Sequence, residues 1–190
     1  MSDFPTLTTP RLCLREIVST DAPALFAIHS HDQAMRWFGT NPMLALQDAD
    51  KLIENFAAGR TLANPGTRWG ITEQASGQLL GTCGLFKWNR NWRSCALGYE
   101  LAQTAWGQGF MQEALDRVLD WGFEHMALNR VEAQVAPQNT ASIKRLEALG
   151  FVREGLLRQA GFWLGEHRDL LQYALLHAER PAPLQRALLF

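Results

Sequence analysis

Apolar residues recur along this chain at two spacings, and the switches between them outline its elements. Leu12 and Leu14 alternate with charged or small neighbours in Arg11-Leu12-Cys13-Leu14-Arg15, the pattern of a half-buried strand. Asp21 stands at a helix N-cap position. Residues 22–28 then predict a short helix with Pro23 in its first turn, where a missing N–H costs nothing. A second helix is expected over residues 46–58, ending at Gly59, and this region reads as a lid. Residues 68–73, 78–87 and 94–101 predict three successive antiparallel strands, separated by Ala75-Ser76-Gly77 and Asn89-Arg90-Asn91.

From Gly109 the period becomes helical. Met111, Ala114, Leu115, Val118, Leu119, Gly122, Phe123 and Met126 form one stripe, with Gln112, Glu113, Asp116, Arg117, Asp120 and Glu124 opposite. Residues 130–136 alternate Val131, Ala133 and Val135 against Glu132 and Gln134, and Pro137 ends that strand. A helix carrying Ile143, Leu146 and Leu149 follows and closes on Gly150, a C′ glycine. Strands over 151–157 and 169–175 complete the pattern. The tail from Ala178, broken by Pro181 and Pro183, reads as a surface appendage. This order predicts one α/β domain over residues 1–177, a mixed sheet with helices packed on it, and a tail over 178–190.

Composition narrows the partners. With 190 residues, 47% hydrophobic and 19% charged, the chain can bury its own core. A formal net charge of -1 offers no general attraction to nucleic acid or to an anionic membrane, so small molecules or peptides are the expected partners. Cys13, Cys83 and Cys95 match neither a zinc site nor a redox pair and read as reduced, buried thiols. Acidic Asp3 and the breakers Pro5 and Pro10 disrupt any signal peptide, and no apolar run reaches the roughly 18 residues of a membrane span. A cytoplasmic protein is expected. His29, His31, His125, His167 and His177 show no ligand spacing, so no metal is expected, and surface roles are the plainer reading of His29 and His31. Trp37, Trp69, Trp88 and Trp92 precede the second half and fit either core packing or the wall of an acceptor pocket. Arg90-Asn91-Trp92-Arg93 fits a solvated hairpin tip or a carboxylate-attracting cluster.

One stretch carries chemistry. Leu97-Gly98-Tyr99-Glu100-Leu101 is a strand, and Trp106-Gly107-Gln108-Gly109-Phe110-Met111 is a glycine turn opening the long helix. First-turn amides of a helix lack internal partners, point the same way and carry the positive end of the helix dipole. Gly107 and Gly109 keep side chains away, so the amides from Gln108 to Met111 could hold a diphosphate. Such turns also cap helices with no ligand. Neither the Lys-Ser or Lys-Thr of a P-loop nor the third glycine of a dinucleotide fingerprint is present.

Four segments together resemble the GNAT acetyltransferase superfamily, in its RimJ/RimL-type branch. Thr9-Pro10-Arg11-Leu12-Cys13-Leu14-Arg15 resembles the branch's T-x-R-L-x-L-R opening, and Gly98-Tyr99 through Leu115 its G-Y-x-L … W-G-x-G-Y-x-x-E-A-L segment. Asn139-Thr140-Ala141-Ser142 with Leu149-Gly150-Phe151 resembles N-x-x-S … L-G-F. Glu154-Gly155, Leu157-Arg158 and Arg168-Asp169 resemble E-G-x-x-R … R-D. The resemblance spans about residues 9–176 and departs from the superfamily in two places. Trp106 and Met111 bound the turn where Arg or Gln and Gly or Ala are usual, and Leu146 stands seven residues after Asn139 where many members place a proton-donating Tyr.

The resemblance implies a largely antiparallel sheet with one splayed parallel pair, residues 94–101 and 130–136, the pantetheine arm of acetyl-CoA lying between them. It implies acetyl transfer to a primary amine of a protein N-terminus, an amino acid or a small molecule, by direct attack in a ternary complex, and a homodimer as the assembly. The cofactor contacts would be Tyr99, Leu101, Trp106, Gly107, Gln108, Gly109, Phe110, Met111, Asn139 and Ser142. Main-chain N–H groups around Tyr99 to Leu101 would stabilise the oxyanion. Glu100, beside the expected thioester, is the candidate base, its pKa expected to rise on burial, and Ser142 is the candidate donor to the sulfur. The missing Tyr also fits a non-catalytic acyl-CoA-binding or regulatory module.

Overall fold

The structure is a computed structural model and describes residues 4–31 and 35–180. Its strands are β1 (Leu7–Thr8), β2 (Leu12–Arg15), β3 (Thr67–Glu73), β4 (Leu79–Asn89), β5 (Ser94–Leu101), β6 (Arg130–Val135), β7 (Val152–Trp163) and β8 (Glu166–Leu176). They form one eight-stranded sheet in the order β1-β2-β3-β4-β5-β6-β8-β7. Every neighbouring pair is antiparallel except β5 and β6, which run parallel. The four α-helices that the described residues define are α1 (Ala22–His29), α2 (Leu46–Gly59), α3 (Phe110–His125) and α4 (Thr140–Ala148).

The sheet divides the molecule into two unequal cores. Leu12, Leu14, Trp69, Ile71, Cys83, Leu85, Cys95, Leu97 and Val131 meet the buried stripe of α3 and Leu146 of α4. On the other face, Ile17 and Leu79 meet Ala22 and Leu25 of α1 and Ala49 and Ile53 of α2. Period-2 strands force this arrangement, because alternate residues must go to opposite faces. Leu97 and Tyr99 therefore belong to the α3 side, and Glu100 to the α1 side.

Several expectations are corrected in detail. Gln112 is not on a solvated helix face: it is buried, its Nε2 donating to Asp116 at 3.0 Å and its Oε1 accepting from Arg145 at 2.7 Å. Asp21 occupies the N-cap position of α1 without capping it through its carboxylate, which takes two guanidinium bonds from Arg15 at 2.8 Å and the Val18 N–H at 2.9 Å. The last two strands are longer than 151–157 and 169–175 and make one long hairpin, turning at Leu164 (φ 54°) and Gly165 (φ 74°). Two positive φ values in sequence suit the right-handed twist of a hairpin. At the expected tail, a short turn at His177–Glu179 is followed by Arg180, whose Nη2 donates to Asp116 and Asp120 at 3.1 Å. Residues 181–190 lie outside the described residues.

Candidate active site

The parallel pair separates. β5 and β6 pair only at Ser94↔Arg130, Cys95↔Val131 and Ala96↔Glu132, after which β5 stays with β4 as far as Gly81↔Leu101 and β6 stays with β8 as far as Val135↔Leu171. A gap opens between their C-terminal halves. The Ala102 N–H bonds the Leu80 carbonyl on β4 at 2.8 Å, so by strand alternation Tyr99 and Leu101 direct their main-chain groups towards the gap. The Leu101 carbonyl accepts Trp106 Nε1 at 3.0 Å, which fixes the start of the turn to the end of the strand.

That turn has the shape an anion needs. Gly107 (φ 74°) and Gly109 (φ 80°) both adopt left-handed backbone, Gly109 as the N-cap of α3. The first main-chain bond into the helix runs from the Glu113 N–H to the Gly109 carbonyl, at 3.2 Å, so α3 itself supplies no acceptor for the amides before it. Gln108 turns outward, its Nε2 donating to the Thr104 carbonyl at 2.8 Å, and its own carbonyl accepts Arg11 Nη1 at 2.9 Å. Trp106 is half exposed, and Phe110 and Met111 are buried beneath the turn.

The opening Thr-x-Arg motif explains how the turn is braced. Glu113, on the first turn of α3, accepts the Thr9 hydroxyl at 2.6 Å, the Arg11 N–H at 2.9 Å and Arg11 Nε at 2.7 Å, and the Arg11 guanidinium lies 4.5 Å from the Phe110 ring centroid. Burial alone would raise the Glu113 pKa, but these bonds outweigh it and hold the carboxyl below the usual range. Glu113→Ala is expected to destabilise the fold by about 1–2 kcal/mol after allowing for the exposed guanidinium, and to weaken coenzyme A binding. Denaturant titration beside calorimetry checks this, and an unchanged dissociation constant would separate the brace from the turn. Because the folded pKa is depressed, this stability is present at neutral pH and is lost as pH falls through the folded value.

A cavity of about 580 Å³ continues from the turn through the gap. On the α3 side, Tyr99 Oη and Ser142 Oγ are 2.7 Å apart. Asn139 caps α4 by accepting the Ser142 N–H on Oδ1 at 3.1 Å, so its acceptor oxygen is engaged by the helix and its amide nitrogen is the group left for a ligand. Arg145, held by Gln112, and Leu146 line the same space. Burial pushes the Tyr99 phenol up to about 12, against the opposing effects of the Ser142 hydrogen bond and the Arg145 charge.

Glu100 lies on the other face, and its environment reverses the expectation of a raised pKa. Its carboxylate is ion-paired with Arg68, accepts the Thr82 hydroxyl and stands 3.3 Å from His29 Nε2. Burial does favour the neutral acid, but the Arg68 charge, the His29 contact and the Thr82 bond together keep Glu100 below the usual carboxylate range. The guanidinium of Arg68 lies against Gly98, where an added Cβ would come within 3.2 Å of Nη1. The sheet glycine before Tyr99 thus leaves room for the Phe86 ring, whose Cε1 would be nearer still at 2.9 Å, and for the counter-ion of Glu100. His29, read as a surface residue, is buried.

The mouth on this face is bordered by the part of the chain least legible in the sequence. Trp163, near the tip of the β7–β8 hairpin, donates from Nε1 to the Arg36 carbonyl at 3.0 Å, and the Leu164 N–H donates to Asn41 Oδ1 at 2.7 Å. These bonds hold the segment carrying Arg36, Trp37 and Phe38, which lines the cavity beside Glu100. Trp69 is core, with Nε1 bonded to the Pro5 carbonyl, and Trp92 is exposed at the β4–β5 tip. Arg93 donates to the Ala127 carbonyl, so the Arg90 to Arg93 cluster belongs to the hairpin and not to the cavity. Cys83 and Cys95 are buried thiols, and Cys13 is half-buried. Among the described residues, no group of three or more His, Cys, Asp and Glu side chains could hold a metal, and no helix is long and apolar enough to cross a membrane.

Known proteins agree with this geometry. The Acetyltransferase (GNAT) domain family matches residues 11–152. An uncharacterized N-acetyltransferase, YoaA of Bacillus subtilis, is 36% identical over 91% of this chain and 97% of its own. The structure of Mycobacterium smegmatis RimJ in complex with CoA-disulfide superposes with a TM-score of 0.83 at 27% identity, covering 94% of this chain and 88% of RimJ. A spermidine N-acetyltransferase from Vibrio cholerae, in complex with CoA and spermine, shares the fold with a TM-score of 0.78 at 22% identity, over 90% and 98% of the two chains. With a sheet that parts beside a glycine turn, and with these relatives, the chain belongs to the GNAT acetyltransferase family and is an acetyl-CoA-dependent N-acetyltransferase.

Proposed function

We propose that acetyl-CoA sets its diphosphate on the amides of Gln108 to Met111 and runs its pantetheine arm through the gap, bonded by the main chain of Tyr99 and Leu101 and by the Asn139 amide nitrogen. The observation that carries this is the separation of β5 and β6 after Ala96, directly before the turn. Tyr99 and Glu100 then fall on opposite sides of the thioester. The amine attacks from the Glu100 side, and the sulfur departs on the Ser142 side. Amides facing the gap at Tyr99 and Leu101 take the negative oxygen of the tetrahedral intermediate. Glu100 acts as an ionised carboxylate: once the nitrogen bonds to carbon its protons become acidic, and a carboxylate held ionised at neutral pH can take one.

The acceptor we infer is a primary amine with one ammonium group, such as a peptide N-terminus, an amino acid or a small amine. Among the described lining residues Glu100 is the one carboxylate, and Arg68 already balances it. Arg36, Trp37 and Phe38 are the described residues at that end of the cavity, and none of them supplies the several carboxylates that would match a polyamine's charges. In a thiol-release assay, peptides and simple amines are expected to exceed spermidine in kcat/KM by about tenfold, the effect of roughly 1.4 kcal/mol of unmatched charge. Background rates with every acceptor would remove the reading. Preference for spermidine would remove its acceptor half. The branch resemblance also favours a homodimer, which sedimentation would test.

A further inference from the structure

Leu146 fills the helix position from which a tyrosine would otherwise reach the sulfur, and a buried leucine offers no hydrogen bond. The cavity nevertheless holds a phenol beside α4, and it comes from the strand instead of the helix. Tyr99 projects from β5 towards α4 and meets Ser142 Oγ at 2.7 Å. Ser142 is held at both ends: its N–H is fixed by Asn139 Oδ1 at 3.1 Å, and its Oγ meets Tyr99. A phenol is a better hydrogen-bond donor than an alkyl hydroxyl, and an alkyl hydroxyl is the better acceptor, so the stable arrangement has Tyr99 donating. The serine proton is then directed away from Tyr99.

We propose that Tyr99 is the positioning residue for Ser142: its phenol turns the serine O–H into the gap, where it serves as a fixed hydrogen-bond donor to the sulfur of the departing coenzyme. The inference rests on the acetyl-transfer reading above and assigns its leaving-group side. The amine nitrogen bonds to the acetyl carbon, the carbon–sulfur bond breaks with its electron pair on sulfur, and the Ser142 O–H stabilises the resulting thiolate. Solvent then supplies the thiolate's proton, and the amine's proton leaves on the opposite face.

Two magnitudes decide for a hydrogen bond over proton transfer. An ordinary thiol titrates at about 8.5. The Tyr99 phenol, pushed up by burial to about 12, is a much weaker acid, so handing its proton to a thiolate would run uphill. Arg145 lines the same cavity, and its charge opposes part of that rise without cancelling it. The hydroxyl pair therefore keeps both protons throughout the working pH range.

Tyr99→Phe, Ser142→Ala and the double variant, each checked for folding by its thermal transition, test this. Each single change is expected to lower kcat by about 10–100-fold, with the coenzyme A dissociation constant unchanged when it is measured at a pH where the thiol is protonated, and the double variant should match the singles, since the two hydroxyls act as a unit. The shape of kcat against pH should be the same in all four proteins. A readout independent of any acceptor is the thiolate absorbance of bound coenzyme A, which should titrate about one pH unit lower in the unmodified protein than in any variant. Losses that multiply, a coenzyme affinity that falls in step with kcat, or a bound thiol that titrates alike in all four would overturn the proposal. If the thiol is shifted as expected while every acceptor gives background rates, the pairing stands and the acetyl-transfer reading fails.

Discussion

Replacing Glu100 with alanine is expected to cost about 3–5 kcal/mol of global stability, because it leaves the Arg68 guanidinium buried without its counter-ion. Arg68 and Glu100 expose 12% and 7% of their side chains, so neither water nor salt can replace the partner. Thr82 and His29 would also lose their shared acceptor. The contribution depends on pH with a definite sign. Glu100 has a folded pKa below its unfolded one, so its stabilisation is complete above the ordinary carboxylate range and disappears as pH falls through the folded value. Denaturant melts at neutral pH and at a pH below the ordinary carboxylate range would show the difference between parent and variant narrowing in acid. A loss under 1 kcal/mol at neutral pH would mean that the ion pair is not the anchor described. Activity must be compared in Glu100→Asp, which keeps the charge and withdraws it from the cavity by one methylene.

The pair also shows why this site was only partly legible in the chain. The strand pattern puts Glu100 next to Tyr99, and the structure has both on β5. Its pKa was not legible, because Arg68, Thr82 and His29 come from β3, β4 and α1, and nothing local in the sequence announces their convergence. Strand β5 and helix α3 are legible almost to the residue, since each buries one face against the larger core and so carries a clean period. The β7–β8 hairpin is longer than its pattern predicts for the opposite reason. β7 is an edge strand with both faces largely exposed, which erases the alternation, and its turn places Leu164, not Asn or Asp, at positive φ. Its tip is also what holds the Arg36 to Phe38 wall, so the acceptor end was the least visible part of the site. Tyr99 and Ser142 each stand out in the sequence, but only the sheet brings them together across 43 positions.

Gly109→Ala is expected to separate the two halves of the coenzyme. At φ 80° an alanine is strained by about 1–2 kcal/mol, while its Cβ would meet nothing closer than Arg11 Nη2 at 3.4 Å, so the fold should survive with a modest loss. The backbone can relieve that strain only by turning away from left-handed geometry, and this would swing the amides of Phe110 and Met111 off their common direction. Losing one or two amide bonds to a charged diphosphate, each worth about 1.5–3 kcal/mol, should weaken coenzyme A binding by roughly 10–100-fold or more. Acetyl-pantetheine has no diphosphate. Its use as a donor in the thiol-release assay should therefore change little, and the gap between β5 and β6 should go on accepting it. Calorimetry with coenzyme A beside turnover with the truncated thioester distinguishes the outcomes. An equal loss for both would place the defect in the gap or in the fold, and would leave the turn without the anion-holding role that its two left-handed glycines and amides suggest.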